Sequence, residues 1–279
     1  MNPHTEPVPR NPRTIVARLW SQRGLIRQLT VREVGSKYRG SYGGVLWSFF
    51  TPLMMLAVYT AVFSYVFKSK WRPETEGPAP LGEFALTLFA GLIPFNLFSE
   101  VVTRSPGLVL AVPSYVKRVV FPLEILTLTA LGGAMISAAL SMMVLVVGMV
   151  LFLHTLPWTI VLVPVVLLPM LFLAMGISWF LSSLGTYVRD VGQFVGVAMQ
   201  AMLFMTPIFW PSHAAPPFLK PLLWVNPLAP VVDGFRKVAL FGEMPDFSAL
   251  GIWTVVTGGV AWAGYMFFAY TKRGFADVI

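Results

Sequence analysis

The sequence predicts an all-α membrane protein: six transmembrane helices, an N-terminal amphipathic interfacial helix, and short re-entrant helices between spans five and six. Three observations predict it. Only 11% of the 279 residues are charged and 56% are hydrophobic, with a mean hydropathy of +0.73, whereas a soluble domain carries roughly 25% charged residues. So few charges cannot cover a solvated surface. Five intervals between charges are long and apolar, one of them long enough for two spans, and Lys and Arg are shared unequally between the segments that separate them.

Residues 1–44 form the first segment, expected in the cytoplasm. Residues 1–13 (MNPHTEPVPRNPR) are polar and Pro-rich, with no apolar stretch behind a charged start, so no cleavable signal peptide is expected. Residues 13–37 read as one amphipathic helix. Ile15, Leu19, Ile26 and Leu29 share a face, Arg13, Arg23 and Arg27 lie beside it, and Arg18 and Arg32 flank the apolar side. A basic, moderately apolar helix suits the headgroup layer; a solvated helix is the alternative.

A span needs about 20 apolar residues. Residues 40–67 are uncharged and hold span one, about 45–67. Residues 84–99, between Glu83 and Glu100, are a short uncharged interval, so span two, about 82–103, is either short or carries its flanking charges at the interface. The interval 125–188 carries no formal charge and is too long for one helix; His154-Thr155-Leu156-Pro157 divides it into spans of about 124–153 and 158–183. Spans five and six are expected at about 192–210 and 247–270, ahead of a tail, 272–279.

Orientation follows from the cations. Fourteen of the 20 Lys and Arg fall in 1–44, 100–124, 184–190 and 271–279, and six in 68–83, 154–158 and 211–246. The basic-rich set belongs in the cytoplasm, so both termini are expected inside, although Lys68, Lys70 and Arg72 dilute the bias. The same cations explain the net charge of +8 without nucleic acid. There is no cysteine, which excludes disulfides, thiolate metal sites and Cys nucleophiles. The three histidines, His4, His154 and His213, are scattered and suggest no metal centre.

Three connecting pieces stand out. Residues 211–246 contain Pro211, Pro216, Pro217, Pro221, Pro227, Pro230 and Pro245, yet keep apolar runs such as Leu222-Leu223-Trp224-Val225. That mixture suits short helices dipping into the outer leaflet and shielded by protein; a loop over the outer surface is the alternative. In 104–122, Pro122 precedes Glu124 at the start of span three. An acid there favours the helix dipole, and Arg118 is a candidate partner for it. Arg189-Asp190 is the only charged pair in 125–219. It either ends two helices or offers a grip to a soluble partner.

The chemistry available is limited. There is no phosphate-binding G-x-x-x-x-G-K-[ST] loop, and no Asp or Glu near the middle of a span to carry a coupling ion. Asn96, Gln200 and hydroxyl groups can bond a neutral, hydroxyl-rich substrate. Trp47, Phe50, Tyr59, Phe63 and Phe67 in span one and Phe194, Phe204, Phe209 and Trp210 in span five form aromatic stripes. Sugar C–H faces stack on such rings, which makes Trp47, Tyr59, Phe63, Phe204 and Phe209 channel-lining candidates; helix packing and interfacial belts are the alternative.

Lys37-Tyr38-Arg39-Gly40-Ser41-Tyr42-Gly43-Gly44-Val45-Leu46-Trp47, running into Pro52-Leu53 and Val58-Tyr59, resembles the opening of ABC-2-type permeases that export polysaccharides. Phe121-Pro122-Leu123-Glu124-Ile125, Arg189-Asp190-Val191-Gly192-Gln193 with Thr206-Pro207-Ile208-Phe209, and Asn226-Pro227-Leu228 with Asp233-Gly234-Phe235-Arg236 are similar to later motifs of that family, in the same order. Gly43-Gly44 departs slightly, since the family more often has a larger apolar residue before the second glycine.

The resemblance implies a transport subunit, not an enzyme, in the bacterial inner membrane. Two copies would enclose a channel, each bound by a nucleotide-binding ATPase subunit carrying ATP and Mg; this chain would bind no cofactor. Arg23, Arg27 and Glu33 on the N-terminal helix, with Arg189 and Asp190, are the implied ATPase-coupling residues. Arg39, Pro52, Pro122, Glu124, Asn226 and Pro227 are the family-motif positions. The expected cargo is a lipid-linked O-antigen or capsular polysaccharide, the latter with a periplasmic adaptor as a possible partner. A teichoic acid or drug exporter is the alternative, and an ion-coupled carrier a more distant one.

Overall fold

In the computed structural model, which describes residues 11–38, 46–62, 82–116, 121–212 and 220–279, the chain contains helices and no strand among the described residues. The expected single helix over 13–37 is two. Helix α1 (Pro12–Ser21) starts on Asn11, whose side chain accepts from the Arg13 N–H at 3.0 Å, with Pro12 at the first helical position. Gln22 breaks the run, and α2 (Arg23–Tyr38) follows.

Helix α3 (Leu46–Tyr59) contains Pro52. Helix α4 (Glu83–Arg104) runs on into a 3₁₀ turn, Ser105–Gly107. A single turn, α5 (Pro113–Val116), precedes α6 (Ile125–Gly148), which widens over Met149–Leu153 and reverses at His154, φ 53°. Helix α7 (Val163–Tyr187) and α8 (Val191–Met205) are joined by the Arg189-Asp190 turn. The Pro-rich segment holds two short helices, α9 (Lys220–Val225) and α10 (Leu228–Arg236). Helix α11 (Phe247–Thr271) is capped by Asp246, and α12 (Phe275–Val278) ends the chain.

Among the described residues, four helical stretches are long and apolar enough to cross a membrane: Glu83–Gly107, Ile125–Leu153, Trp158–Tyr187 and Phe247–Val278. Two shorter apolar helices, Phe49–Val62 and Val191–Met205, occupy the remaining charge-free intervals. The interval 192–210 is helical only to Met205. Pro207 disfavours helical backbone in the residue before it, and Thr206 is extended, with ψ 141°.

Helix α4 is the centre of the bundle. Of its apolar stretch 83% is buried, against 28%, 33% and 39% in the other long helices, and α3, α6, α7, α8 and α10 pack around it. Lipid tails give apolar surfaces little reason to associate, so close backbone approach by small residues carries the packing. The α7–α11 pair, the most extensive in the fold, illustrates this. A Cβ on Gly176 would lie 2.6 Å from the Val260 carbonyl oxygen, and one on Gly264 would run into the Gly176 carbonyl.

Two apolar clusters result. The larger surrounds α4 and includes Phe89, Phe98, Leu145, Met170, Val231 and Phe235. The second closes the end of the bundle nearest both termini, with Ile15, Val109, Leu126, Trp179, Tyr265 and Phe275. The segment 272–279, expected as a cytoplasmic tail, packs against this end of the bundle, with Phe275 fully buried in that cluster.

Candidate functional site

At the end nearest the termini, Glu124 is buried at the start of α6. It stands at the N-cap position, but its side chain makes no cap hydrogen bond. It faces two cations instead: Arg18 Nε of α1 at 3.3 Å and Lys272 Nζ, just after α11, at 3.3 Å. Trp179 Nε1 of α7 donates to the Glu124 backbone carbonyl at 3.0 Å, and its ring meets Tyr265 edge-on at 5.2 Å. One carboxylate thus gathers α1, α6, α7 and the C-terminal segment. Arg118, its candidate partner, lies outside the described residues.

Glu33 and Arg104 form a second link, an ion pair that ties α2 to the end of α4, with Glu100 3.8 Å from the same guanidinium. The Tyr187 hydroxyl donates to the Thr271 carbonyl at 2.9 Å, and Ser183 and Thr271 share a hydroxyl hydrogen bond. A buried hydroxyl chain, Ser105–Ser178–Thr127 at 2.7 and 3.2 Å, joins α4's end, α7 and α6.

The other candidates here are open. Arg23 and Arg27 are exposed on α2, with Arg23 5.5 Å over the Trp20 ring. Arg189 and Asp190 are both exposed, and their side chains make no ion pair or hydrogen bond among the described residues. This turn with two uncommitted charges follows Tyr187, whose hydroxyl and ring meet Thr271 and Phe275 at the docked C-terminal segment.

The opposite end is pinned through α10. Asn226 Nδ2 donates to Thr206 Oγ1 at 3.1 Å and to the Met205 carbonyl at 3.3 Å, while its Oδ1 accepts from the Leu228 N–H at 3.0 Å. It closes the end of α8 and opens α10 at once; Pro227, next to it, is half-buried at the N-cap position. Arg236, 1% exposed, donates to the carbonyls of Thr87 at 2.9 Å, Pro207 at 2.5 Å and Ile208 at 2.7 Å, and faces Asp233 at 3.6 Å. Asp233 also accepts from Ser212 Oγ at 2.5 Å. The guanidinium fits because residue 91 is glycine: a Cβ there would lie 2.9 Å from the Arg236 Cζ.

Thr87 and Arg104 mark these two ends on α4, 17 residues or roughly 25 Å apart along the helix axis. The aromatic candidates divide between α3 and the α8 region. Trp47 is exposed and meets Phe50 edge-on at 5.3 Å. Tyr59 is half-buried against the α4 cluster. Exposed Phe204 stacks on half-buried Phe209 at 5.6 Å. Pro52 and Pro122 are half-buried; Phe63 and Arg39 lie outside the described residues.

Sequence reasoning gave no site role to Arg18, Lys272, Trp179, Thr206 or Arg236, although the motif strings contain Thr206 and Arg236. Arg236 carried a legible signal, an arginine in an apolar, Pro-rich stretch, where a charge needs partners. Arg18 and Lys272 carried none, because a carboxylate 106 residues from one and 148 from the other has no sequence trace.

A bundle of long apolar helices around a buried central one, with charge confined to its ends, is a membrane-embedded subunit. The chain belongs to the family described as ABC-2 type transporter, whose model matches residues 24–240. It is 26% identical over 268 residues to the O-antigen export system permease protein RfbA of Myxococcus xanthus, covering 95% of this chain and 99% of that one. It is 23% identical to the protein of the same name from Klebsiella pneumoniae, covering 91% and 95%. The polysialic acid transport protein KpsM of Escherichia coli is 24% identical, covering 85% and 90%. The family's ATP-binding function resides on a separate ATPase subunit.

Proposed function

We propose that this chain is the membrane-spanning subunit of an ATP-driven exporter that moves a lipid-linked polysaccharide across the bacterial inner membrane. The observation that carries it is the end-to-end similarity to permeases named for O-antigen export and polysialic acid transport. The names of these relatives refer to O-antigen and polysialic acid, and neither names a drug or a teichoic acid.

All six apolar helices cross the membrane in this reading, with both termini in the cytoplasm, where 14 of the 20 cations fall. Two copies enclose the path, and each receives one ATPase subunit carrying ATP and Mg. That subunit docks where α1, α2, α12 and the Arg189-Asp190 turn meet. Arg23 and Arg27 are the open cations for it, and Glu33 acts by holding α2 on α4. The pinned α10 and the short α9 close the outer side, and aromatic rings on α3 and α8 face the polymer. A capsule substrate would add a periplasmic adaptor.

Deletion of the chain followed by localisation of the polymer tests the reading. Glycan trapped on the cytoplasmic side is the expected result; normal surface glycan would reject it.

A further inference from the structure

Helix α4 has two unlike halves. From Phe84 to Phe95 every residue is buried. Beyond that point Asn96 and Thr103 are exposed, and Ser99 and Glu100 half-buried, while Leu97, Phe98, Val101 and Val102 between them stay buried. Positions 96, 99, 100 and 103 follow the i, i+3, i+4, i+7 spacing of one helix face. That face is polar throughout and runs for about 10 Å at the helical rise.

Asn96 stands at the middle of the stretch Glu83–Gly107, and its side-chain amide has no hydrogen-bond partner among the described residues. An amide at mid-depth that faced lipid would lose its water without replacement. The face therefore looks onto water, a polar solute or a second protein surface. Glu100 sits 3.8 Å from Arg104 toward the end of the stripe nearest the termini, so the acid is matched by a cation. Deeper in, only neutral donors and acceptors remain.

We propose that Asn96, Ser99, Glu100 and Thr103 form one wall of a water-filled vestibule, and that a hydroxyl-rich chain moves along it by exchanging hydrogen bonds with these groups. The vestibule opens at the Arg104–Glu33 end and its α4 wall stops at Asn96, because the apolar half beyond is covered by the protein's own helices. The solute rests on the polysaccharide reading; the water-filled wall does not.

The absence of native cysteine makes the test direct. Single variants Asn96→Cys, Ser99→Cys and Thr103→Cys, with Leu97→Cys as a buried control and Val255→Cys as an exposed one on α11, are assembled with their ATPase in membrane vesicles. They are then treated with a charged, membrane-impermeant maleimide. Three positions on the same face guard against one variant failing to assemble. Reaction at 96, 99 and 103, with loss of reaction at 97 and 255, is expected. A bulky label at 96 should also abolish the polymer export that the same variant shows before labelling, while ATP hydrolysis continues.

A face reached only by a lipid-soluble maleimide would overturn the vestibule. So would an unreactive face whose cysteines cross-link two copies on oxidation. Labelling at all three positions with export unchanged would overturn the polymer's route alone. Failure of the polysaccharide reading itself appears separately, as normal surface glycan in the deletion strain.

Discussion

Arg236 shows what one side chain decides in this fold. A guanidinium carries five donors in a rigid fork, and here it serves three backbone carbonyls and Asp233 from within the protein. Lysine offers a point charge on a flexible stem and cannot reproduce that spread. Arg236→Lys keeps the charge but leaves carbonyls without a donor, at about 1–3 kcal/mol for each buried group left unsatisfied, read as a lower thermal midpoint of the purified chain. Gly91→Ala should produce a loss of the same sign by displacing the guanidinium. A midpoint unchanged in both variants would show that the pin contributes nothing.

At the scale of elements, helix contact depends on missing atoms as much as on present ones. Helices α7 and α11 meet where Gly176 and Gly264 bring backbone against backbone. Gly264→Val must push α11 outward. The cost should be at least the ~1–3 kcal/mol of ordinary overpacking, because the obstacle is backbone and cannot rotate away. Loss of the α7–α11 cross-link in a Ser183→Cys, Thr271→Cys pair would report the separation; an undiminished cross-link would contradict it. Helix α11 also depends on its cap. The Ser248 hydroxyl and the Ala249 N–H hold the Asp246 carboxyl below its ordinary range. The cap is therefore intact above the usual carboxylate pKa and weakens as pH falls through the lowered one.

For the whole molecule, the end nearest the termini behaves as one body. Glu124, Glu33 and the Phe275 cluster tie α1, α2 and α12 to the bundle, linking the N-terminal helices to α4 and α6. The Arg189-Asp190 turn is the exception, two charges without partners among the described residues. Arg189→Ala with Asp190→Ala should leave stability within about 0.5 kcal/mol, as for exposed substitutions, while weakening ATPase co-purification or separating hydrolysis from export. Unchanged co-purification and unchanged export would remove the turn from the coupling surface. Glu124→Gln should act in the opposite way, loosening α1 and the C-terminal segment with the turn intact, visible as faster amide exchange over 12–21 and 272–279.

The architecture was legible from charge spacing alone. A charged side chain in hydrocarbon is expensive enough that long uncharged intervals mark apolar helices, but the interval 192–210 overran α8, whose stop at Met205 was signalled by Pro207 and not used. The motif residues were legible too, but not their relation. Thr206-Pro207-Ile208 and Asn226 with Asp233 and Arg236 stand as separate strings in sequence, and only the fold shows that they bond to one another. Pairing across 20 to 150 residues depends on where helices come to rest, and helix rotation depends on which small residues meet. The same rule governed the break at Gln22, the docked C-terminal segment and the polar face of α4. Sequence by itself determined that this chain is a set of apolar helices with charge at their ends. Tertiary packing decided which face of each helix is covered, because side-chain exposure is a property of neighbours and not of the chain that carries it.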